Sequence, residues 1–556
     1  MRFSLFYELQ MPRPWDEDSE QRLLDQALEQ IELADRLGFH AVWGVEHHFL
    51  EEYAHSSASA VWLAAAAART TRIRIGLGIM PLPVNYQHPA RVAEAAATLD
   101  LVSHGRVELG TGETSSETEL AGFGVSRQTK RAEWAESLDV ITRMMVEEPF
   151  AGHDGKYLSV PQRNVIPKPR QKPHPPLWVA CSQRDTIRLA AENGLGALSF
   201  SFATPEEADA WRAEYYEVIA SERCVPAGFE VNANFALALP MHVHADAATA
   251  RERGTEGARF FGYALAHYYA FGDHRPGFSD IYAEFLRGGA KGIAGAADEG
   301  SAAIGTPAEV SALAQRYEEA GVDELLLAVQ VGNSRHEHIL ESLELFAKEV
   351  MPAFEERRPA LEAEKVSRLA EPLRAAGLRR APKRAPDPNH VVTPVAGTIA
   401  PVRDPSPKER VASLRAQAEG RAQAAVKGFI SRSSDARLER VAGSALGLKG
   451  IFKAMESRYV PENASGFDGE IQFDLSYADG RVTTWSIALN HTEATARNQA
   501  ARDPALKLTA SVPDFVRIIS GDLAPAKALL TGRVQIKGDL VVAARMGEMF
   551  GQQSPF

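Results

Sequence analysis

Short apolar runs alternate with amphipathic helical stretches over the first part of the chain, and this alternation admits few folds. Runs of strand character lie at 3–9, 41–45, 72–80, 106–111, 177–180, 195–200, 231–243 and 324–329. Helical patterning follows nearly every one, at 19–37, 57–69, 89–103, 129–147, 186–192, 205–221 and 336–350. In the first of these helices Leu23, Leu24, Ala27, Ile31, Ala34 and Leu37 recur near helical spacing, and Gly38 ends it. Strand-helix alternation predicts a parallel α/β sheet. Eight units over about 350 residues predict a (β/α)8 TIM barrel with insertions, with a doubly wound sheet as the alternative.

The second apolar run, Ala41-Val42-Trp43-Gly44-Val45, breaks into Glu46-His47-His48-Phe49. Strands that deliver ionisable groups at their carboxyl ends are how α/β barrels present reactive side chains. Histidine is the side chain best suited to moving protons near neutral pH. The same pair also suits plain backbone capping or a solvent-facing turn. Two stretches depart from the alternation. Residues 152–176 are proline-rich around a short strand near 156–160, and 263–301 form a long insertion carrying Tyr263, Tyr268, Tyr269 and Phe271. Long insertions at a barrel mouth are usually functional, so the second is expected to lid a pocket.

Net charge is −12, which disfavours nucleic acid and anionic membranes as partners. Two cysteines, Cys181 and Cys224, exclude a disulfide framework and a multi-cysteine metal site, and no metal is expected. The first 30 residues are acidic without an apolar segment, so no signal peptide is expected and the compartment is read as cytoplasmic.

Ordered motifs then carry a resemblance. They are Leu37-Gly38-Phe39 ahead of the Trp43 strand, Glu46-His47-His48-Phe49, His88-Pro89 with Arg91 and Glu94, Leu99-Asp100, Gly105-Arg106, Phe123-Gly124-Val125, Pro167-Lys168-Pro169, Gly305-Thr306-Pro307, Ala320-Gly321-Val322-Asp323 and Val350-Met351-Pro352. Residues 1 to about 355 resemble the luciferase-like flavin monooxygenases. The resemblance implies a (β/α)8 barrel with reduced FMN across its carboxyl face. It implies a reaction with O2 through a C4a-peroxyflavin that oxygenates an organic substrate, which the fusion to the second unit read below suggests is apolar. His47 matches the histidine proposed as general base beside the ring, with His48 and Glu46 in support. Leu77 and Gly78, with Gly76, match the backbone brought under the ring, often at a non-prolyl cis peptide. Cys181, Ser182 and Thr186, with Arg184 nearby, match the phosphate-binding corner at a helix start.

Thr111 and Gly112 end the fourth strand, where the family commonly has Gly-x-Gly-Arg. Here the run is Gly110-Thr111-Gly112-Glu113, and a carboxylate beside a phosphate is repulsive. Arg127, Lys130 and Arg131 are candidates to offset it. This departure keeps the deazaflavin F420, used for hydride transfer by relatives on the same barrel, as the alternative cofactor. No Gly-x-Gly-x-x-Gly follows a strand with a downstream acid, so a separate flavin reductase is expected to supply the reduced cofactor. The family also implies a homodimer.

Residues 1–357 are thus read as the barrel, 358–407 as a linker with nine prolines and a solvated basic cluster (Arg379, Arg380, Lys383, Arg384), and 408–556 as a second unit. That unit begins with a helical stretch at 408–429. Ile471, Phe473, Leu475 and Tyr477 alternate, Asp479-Gly480 turns, and Thr483, Trp485, Ile487 and Leu489 alternate again, which predicts a hairpin. Further strands are expected at 506–510 and 534–537, and helices at 513–520, 524–530 and 540–550, giving an α+β unit. Val512-Pro513-Asp514-Phe515, Gly521, Ala524-Pro525-Ala526-Lys527-Ala528 and Gly532-Arg533-Val534-Gln535-Ile536-Lys537-Gly538-Asp539 resemble the sterol carrier protein-2 (SCP2) lipid-binding domain. The resemblance implies an apolar ligand between sheet and helices. Phe473, Trp485, Phe515, Ile519, Met546 and Met549 are candidate lining that is equally suited to core. The competing function class is a non-catalytic lipid-binding protein.

Overall fold

The computed structural model describes all of the chain except residues 201–202, 272, 290–301, 393–427, 465–466, 524–527, 529–530, 539–545, 547–548 and 551–556. Two compact units result, Met1–Val392 and Thr393–Phe556.

Eight parallel strands of the first unit close on themselves: β1 Arg2–Tyr7, β2 Ala41–Gly44, β3 Arg74–Pro81, β4 Val107–Gly112, β5 Leu177–Cys181, β6 Gly196–Ser199, β7 Phe235–Val243 and β8 Glu324–Ala328. Closure comes from β8, which pairs with β1 from Arg2↔Glu324 onward and with β7 from Ala236↔Glu324 onward. No free edge remains between first and last strand, which settles the barrel over the doubly wound sheet. A short strand, Ala303–Gly305, pairs with the far end of β7.

Helices alternate outside: α1 Ser19–Leu37, α2 Ser59–Arg69, α3 Pro89–Val102, α4 Glu117–Phe123, α5 Lys130–Val146, α6 Arg184–Glu192, α7 Pro205–Ile219, α8 Ala247–Ala266, α9 Pro307–Glu319 and α10 His336–Glu349. Their starts are written locally. Thr204-Pro205-Glu206-Glu207 and Thr306-Pro307-Ala308-Glu309 each form a capping box with proline in the first turn. At the end of α1 Gly38 takes φ 91°, and its N–H bonds the Ala34 carbonyl.

Two indoles fill the barrel interior, Trp43 and Trp178, edge to face at 5.3 Å. Each buried N–H meets a carboxylate: Trp43 Nε1 donates to Glu324 Oε1 at 3.0 Å, and Trp178 Nε1 to Glu108 Oε2 at 2.7 Å. Glycine makes room for the rings, because a Cβ on Gly76 or Gly196 would lie 2.3 Å from Trp43 or Trp178.

The chain after 357 differs from the linker its prolines suggest. Helix α11 runs unbroken over Met351–Arg379 with Pro359 and Pro372 inside it. The carbonyls that lose a partner there belong to Glu355 and Arg368, both exposed residues, so water can replace the missing bonds. The helix buries Leu369 and Ala376 in the barrel's outer core, and Lys365 binds Asp323 and Asn234 at 2.7 Å each. The basic cluster is no solvated tether either. Arg379 donates to the carbonyls of Ser221 and Cys224, Arg380 pairs with Asp139 at 2.8 Å, and the Arg384 N–H bonds Glu147. Residues 393–407 lie outside the described residues.

The second unit holds a sheet of β9 Gly469–Ser476, β10 Val482–Leu489, β11 Ala494–Arg497, β12 Pro504–Ser511 and β13 Val534–Gly538, in the order β11-β10-β9-β12-β13. The expected hairpin turns at Gly480, φ 85°. Helices α12 Asp435–Val441, α13 Ala445–Arg458 and α14 Val512–Ile519 accompany the sheet. Phe452 stacks on Trp485 at 4.5 Å and meets Phe473 and Phe515, so these three candidate lining residues are core. The helices expected at 408–429, 524–530 and 540–550 fall wholly or mostly outside the described residues.

If α11 belongs to the barrel, Leu369→Ala should cost the first unit about 2–5 kcal/mol, the usual range for emptying a buried leucine site. Urea unfolding followed by barrel tryptophan fluorescence reads this, and an unchanged midpoint would show that the helix packs too weakly to matter.

Candidate active site

Strand β2 ends at Gly44, and the next residues are pinned rather than free. The Val45 N–H bonds the Tyr7 carbonyl, Ser56 Oγ donates to the Val45 carbonyl, and the His47 N–H bonds the Ser56 carbonyl at 3.0 Å. This fixes His47 at the carboxyl end of the barrel. Its ring lies between two glutamates: Nδ1 is 3.2 Å from Glu119 Oε1, and Nε2 is 3.8 Å from Glu8 Oε2. The phenol of Tyr269 is 3.5 Å from Nδ1, and the Tyr53 ring centroid lies 5.7 Å from the imidazole.

Burial opposes charge on the ring, but Glu119, Glu8 and Glu46 outweigh it and raise the His47 pKa to about 9. The two nearest carboxyls are unlike. Glu119 is buried, yet it accepts from the Thr114 hydroxyl at 2.7 Å and the His48 N–H at 3.0 Å, and with His47 these donors hold it below the ordinary glutamate value. Burial raises Glu8 to about 7 against His47 and one donor, Tyr53 Oη at 2.9 Å.

Of the three residues read at the strand end, His47 stands apart from the other two. Glu46 accepts from Ser59 Oγ at 3.0 Å and Gln87 Nε2 at 3.3 Å, and lies 3.5 Å from His48 Nε2. The His48 ring meets Phe123 edge to face at 4.8 Å. The group that orients His47 is Glu119, on α4, which sequence reasoning missed. Ser116 and Glu119 have the spacing of a capping box, but here the box is not made. Glu119 turns to His47, and the buried Ser116 Oγ has no hydrogen-bond partner among the described residues. Glu8 carried a signal of its own, an acid directly after the apolar run Leu5-Phe6-Tyr7.

The expected cofactor residues also gather at strand ends. Between Leu77 and Met80 the register with β4 shifts, so Gly78 and Ile79 oppose the single residue Gly110. The Gly78–Ile79 peptide is cis, as the resemblance implies. This bulge crowds β4: a Cβ on Gly110 would lie 2.3 Å from the Leu77 carbonyl oxygen, and one on Gly112 2.5 Å from Ile79. Thr111 is a strut, with its hydroxyl donating to the Trp178 carbonyl and accepting from Trp134 Nε1. The Cys181 side chain is fully buried, and burial pushes its thiol up to about 12. Ser182 is exposed just before α6, whereas the Thr186 hydroxyl is occupied by Gln183 and Arg184 is paired with Glu214. Glu113 is compensated: Arg131 lies at 2.9 Å and Lys130 at 3.3 Å, while Arg127 pairs with Glu117 instead. One acid between two bases leaves that corner net positive.

The mouth is roofed by the described part of the insertion, within 263–289. Tyr268 and the half-buried Tyr269 pack with Tyr53, Phe260 and Phe261 in a cluster continuous with the barrel interior. Glu51 accepts from His274 Nε2 at 3.0 Å and the Gly277 N–H at 2.7 Å, and Glu52 from the N–H groups of Ile281 and Tyr282, so two acids beside the histidine loop hold the roof down. An open cleft of about 640 Å³ exists at the other end of the barrel, between α11 and the strand starts, but His47 is not part of it. Barrel enzymes act at the carboxyl face. The residues there fit a planar, phosphate-bearing cofactor, because the bulged glycine backbone leaves room for a ring and Lys130 and Arg131 beside Glu113 supply positive charge. Among the described residues no metal-holding group of His, Cys, Asp and Glu occurs, and no helix is long and apolar enough to cross a membrane.

Comparisons with known proteins agree with this geometry. The SCP-2 sterol transfer family profile matches residues 448–551. Limonene 1,2-monooxygenase of Rhodococcus erythropolis is 30% identical over 61% of this chain and 84% of its own. The oxygenase component of the flavin-dependent trigonelline monooxygenase of Acinetobacter baylyi is 31% identical over 35% of this chain and 52% of its own. An F420-dependent glucose-6-phosphate dehydrogenase of Microbacterium testaceum is 29% identical over 31% of this chain and 52% of its own. The chain spans about half the length of several curated relatives that it matches. The crystal structure of the monooxygenase RslO1 from Streptomyces bottropensis superposes with a TM-score of 0.53 at 27% identity, over 64% of this chain and 100% of that one. The luciferase-like monooxygenase profile matches residues 1–324 of 556, more than half of the chain and on a closed barrel, so this chain belongs to the luciferase-like monooxygenase family and carries an SCP-2 sterol transfer domain later in its sequence.

Proposed function

We propose that the chain is the oxygenase of a two-component flavin monooxygenase, taking reduced FMN from a separate reductase and using O2 to oxygenate an apolar organic substrate. The observation that carries this reading is His47, held between Glu8 and Glu119 at the barrel mouth beneath an aromatic roof. Bound reduced flavin supplies the electrons and activates the oxygen. The backbone of Leu77 and Gly78 at the bulge would lie under its ring, with Gly112 behind. Ser182 and the start of α6 would receive the phosphate, with Lys130 adding charge. Tyr53, Tyr269 and Phe261 exclude water and offer an apolar surface to the substrate. Near neutral pH His47 is charged, so its first act is to give a proton from Nε2, and it becomes a base only afterwards.

The second unit would hold an apolar ligand for the same enzyme. An open cleft of about 850 Å³ there is bordered by Leu448, Tyr477 and Trp485 but also by Glu439, Arg440, Lys449 and Arg481, so the domain match rather than this cleft supports the apolar ligand. The limonene relative, covered over 84% of its length, supports the apolar substrate class. One observation favours F420 instead: Glu113 stands where the family's arginine reaches the phosphate.

Anaerobic titration of the full chain with reduced FMN, reduced riboflavin and reduced F420 tests the cofactor. Tighter binding of F420 than of FMN would move the reading to a dehydrogenase. Glu113→Gln should release Lys130 and Arg131 and tighten FMN by about tenfold, one charge-assisted hydrogen bond, while leaving riboflavin unchanged. Equal changes for both ligands would place the phosphate elsewhere. His47→Ala should retain the fold and lose about 10²–10⁴-fold in turnover, and a variant keeping half the wild-type rate would remove His47 from the reaction. Glu119→Gln should bring the His47 midpoint, read by imidazole NMR, from about 9 down towards the ordinary value near 6.5. The raised pKa contributes stability that is complete below about 6.5 and lost as pH rises through about 9, so the variant's His47-linked loss over that window should vanish. An unmoved midpoint would show that Glu119 does not hold the ring charged.

A further inference from the structure

We propose that Glu8, just past the carboxyl end of β1, is a second proton-holding group of this site and exchanges one proton with His47 Nε2. The inference rests on the reading of His47 as the residue that moves the proton. Glu8 is 5% exposed, and its Oε1 accepts from Tyr53 Oη at 2.9 Å. Its Oε2 is buried and has no hydrogen-bond partner among the described residues, and it faces His47 Nε2 at 3.8 Å. A buried carboxylate oxygen without a donor is costly, so a proton on Glu8 or a donor in the site must answer it.

The same imidazole is gripped on Nδ1 by Glu119, whose three donors keep it ionised. Two carboxyls of opposite character therefore flank one ring, the arrangement that separates an orienting group from a proton-exchanging one. The other groups facing the pair are Glu46, which adds negative potential at His47, and the phenols of Tyr53 and Tyr269. Burial places the Glu8 midpoint near 7, where the carboxyl and carboxylate forms are both populated. When Nε2 gives its proton to an acceptor atom of the bound molecule, Glu8 passes its own proton from Oε2 to Nε2 and is left as the carboxylate. Solvent returns that proton between turnovers, and no electrons move. Glu8 is a positioning residue in this scheme, acting through His47.

The test is NMR titration of the full chain with 13C-carboxyl glutamate and 15N-histidine, in wild type, Glu8→Gln and Tyr53→Phe. One glutamate carboxyl should titrate near 7 in wild type and be absent in Glu8→Gln. In that variant the His47 midpoint should fall by about one unit, as expected when one close carboxylate is removed. Tyr53→Phe takes away the hydrogen bond that favours the carboxylate, so the Glu8 midpoint should rise further, and this variant serves if Glu8→Gln does not fold. In turnover, Glu8→Gln should lower kcat about tenfold with KM unchanged, and Glu8→Asp should restore part of it. A Glu8 carboxyl titrating below pH 5, or a His47 midpoint indifferent to Glu8→Gln, would overturn the proposal. The titrations need no cofactor, so a chain that shows the shared proton but oxygenates no apolar substrate would sink the monooxygenase reading and leave the Glu8–His47 pair standing.

Discussion

The pairing of β8 with β1 is the constraint on which the first unit depends. Parallel strands leave every amide and carbonyl of an edge unpaired, and ring closure removes both edges at once. Closure also brings all eight carboxyl ends to one rim, so residues as distant in sequence as Glu8, His47 and Glu119 become neighbours. The inside of the ring must then be filled. Trp43 and Trp178 do so, and the price of their polar N–H groups is two buried glutamates, Glu324 and Glu108. Each is answered from the strand starts, Glu324 by Ser4 and Arg2 and Glu108 by Arg74. The lower barrel is thus a satisfied polar layer and the upper rim is not.

That contrast marks the functional end. At the bottom the buried acids have their donors. At the rim, among the described residues, Glu8 keeps an oxygen without a donor and Ser116 a hydroxyl without a partner, while the imidazole between Glu8 and Glu119 sits far from its ordinary pKa. Buried charge that is only partly compensated is expensive, and it persists where a ligand or a proton completes it. The roof strengthens the effect by keeping water out, since every electrostatic interaction grows as the local dielectric falls. Glu51 and Glu52, three and four residues beyond His48, tie that roof to the loop that carries the histidines.

Much of this was legible in residue order. Alternating apolar runs marked all eight barrel strands and Asp479-Gly480 marked the hairpin of the second unit, whereas the helix at Pro307–Glu319 was not expected. His47 was found because strand ends are where a barrel exposes side chains, whereas Leu77 and Gly78 came only from the family resemblance, and the bulge there is a finding of the structure. Other features misled. Pro359 and Pro372 signalled a break, but the carbonyls they leave unpaired belong to the exposed residues Glu355 and Arg368, where water can replace the bond, and α11 packs through Leu369 and Ala376. The arginines after it looked like a solvated tether because their partners, Asp139, Ser221 and Cys224, are distant in the chain.

Local chemistry by itself therefore determined the eight barrel strands, most of the helices between them, the hairpin turn of the second unit, and which strand end carries histidine. Such properties depend on neighbours within a few residues. Only the tertiary structure decided how those groups are charged and paired. It turned Glu119 from a helix cap to the orienting partner of His47 and aimed Glu8 at the other ring nitrogen. It spent the Thr111 hydroxyl on Trp134 and Trp178, and it placed Lys130 and Arg131 against Glu113. Electrostatics acts through space between residues that sequence keeps apart, and burial, which sets its strength, exists only once the barrel has closed.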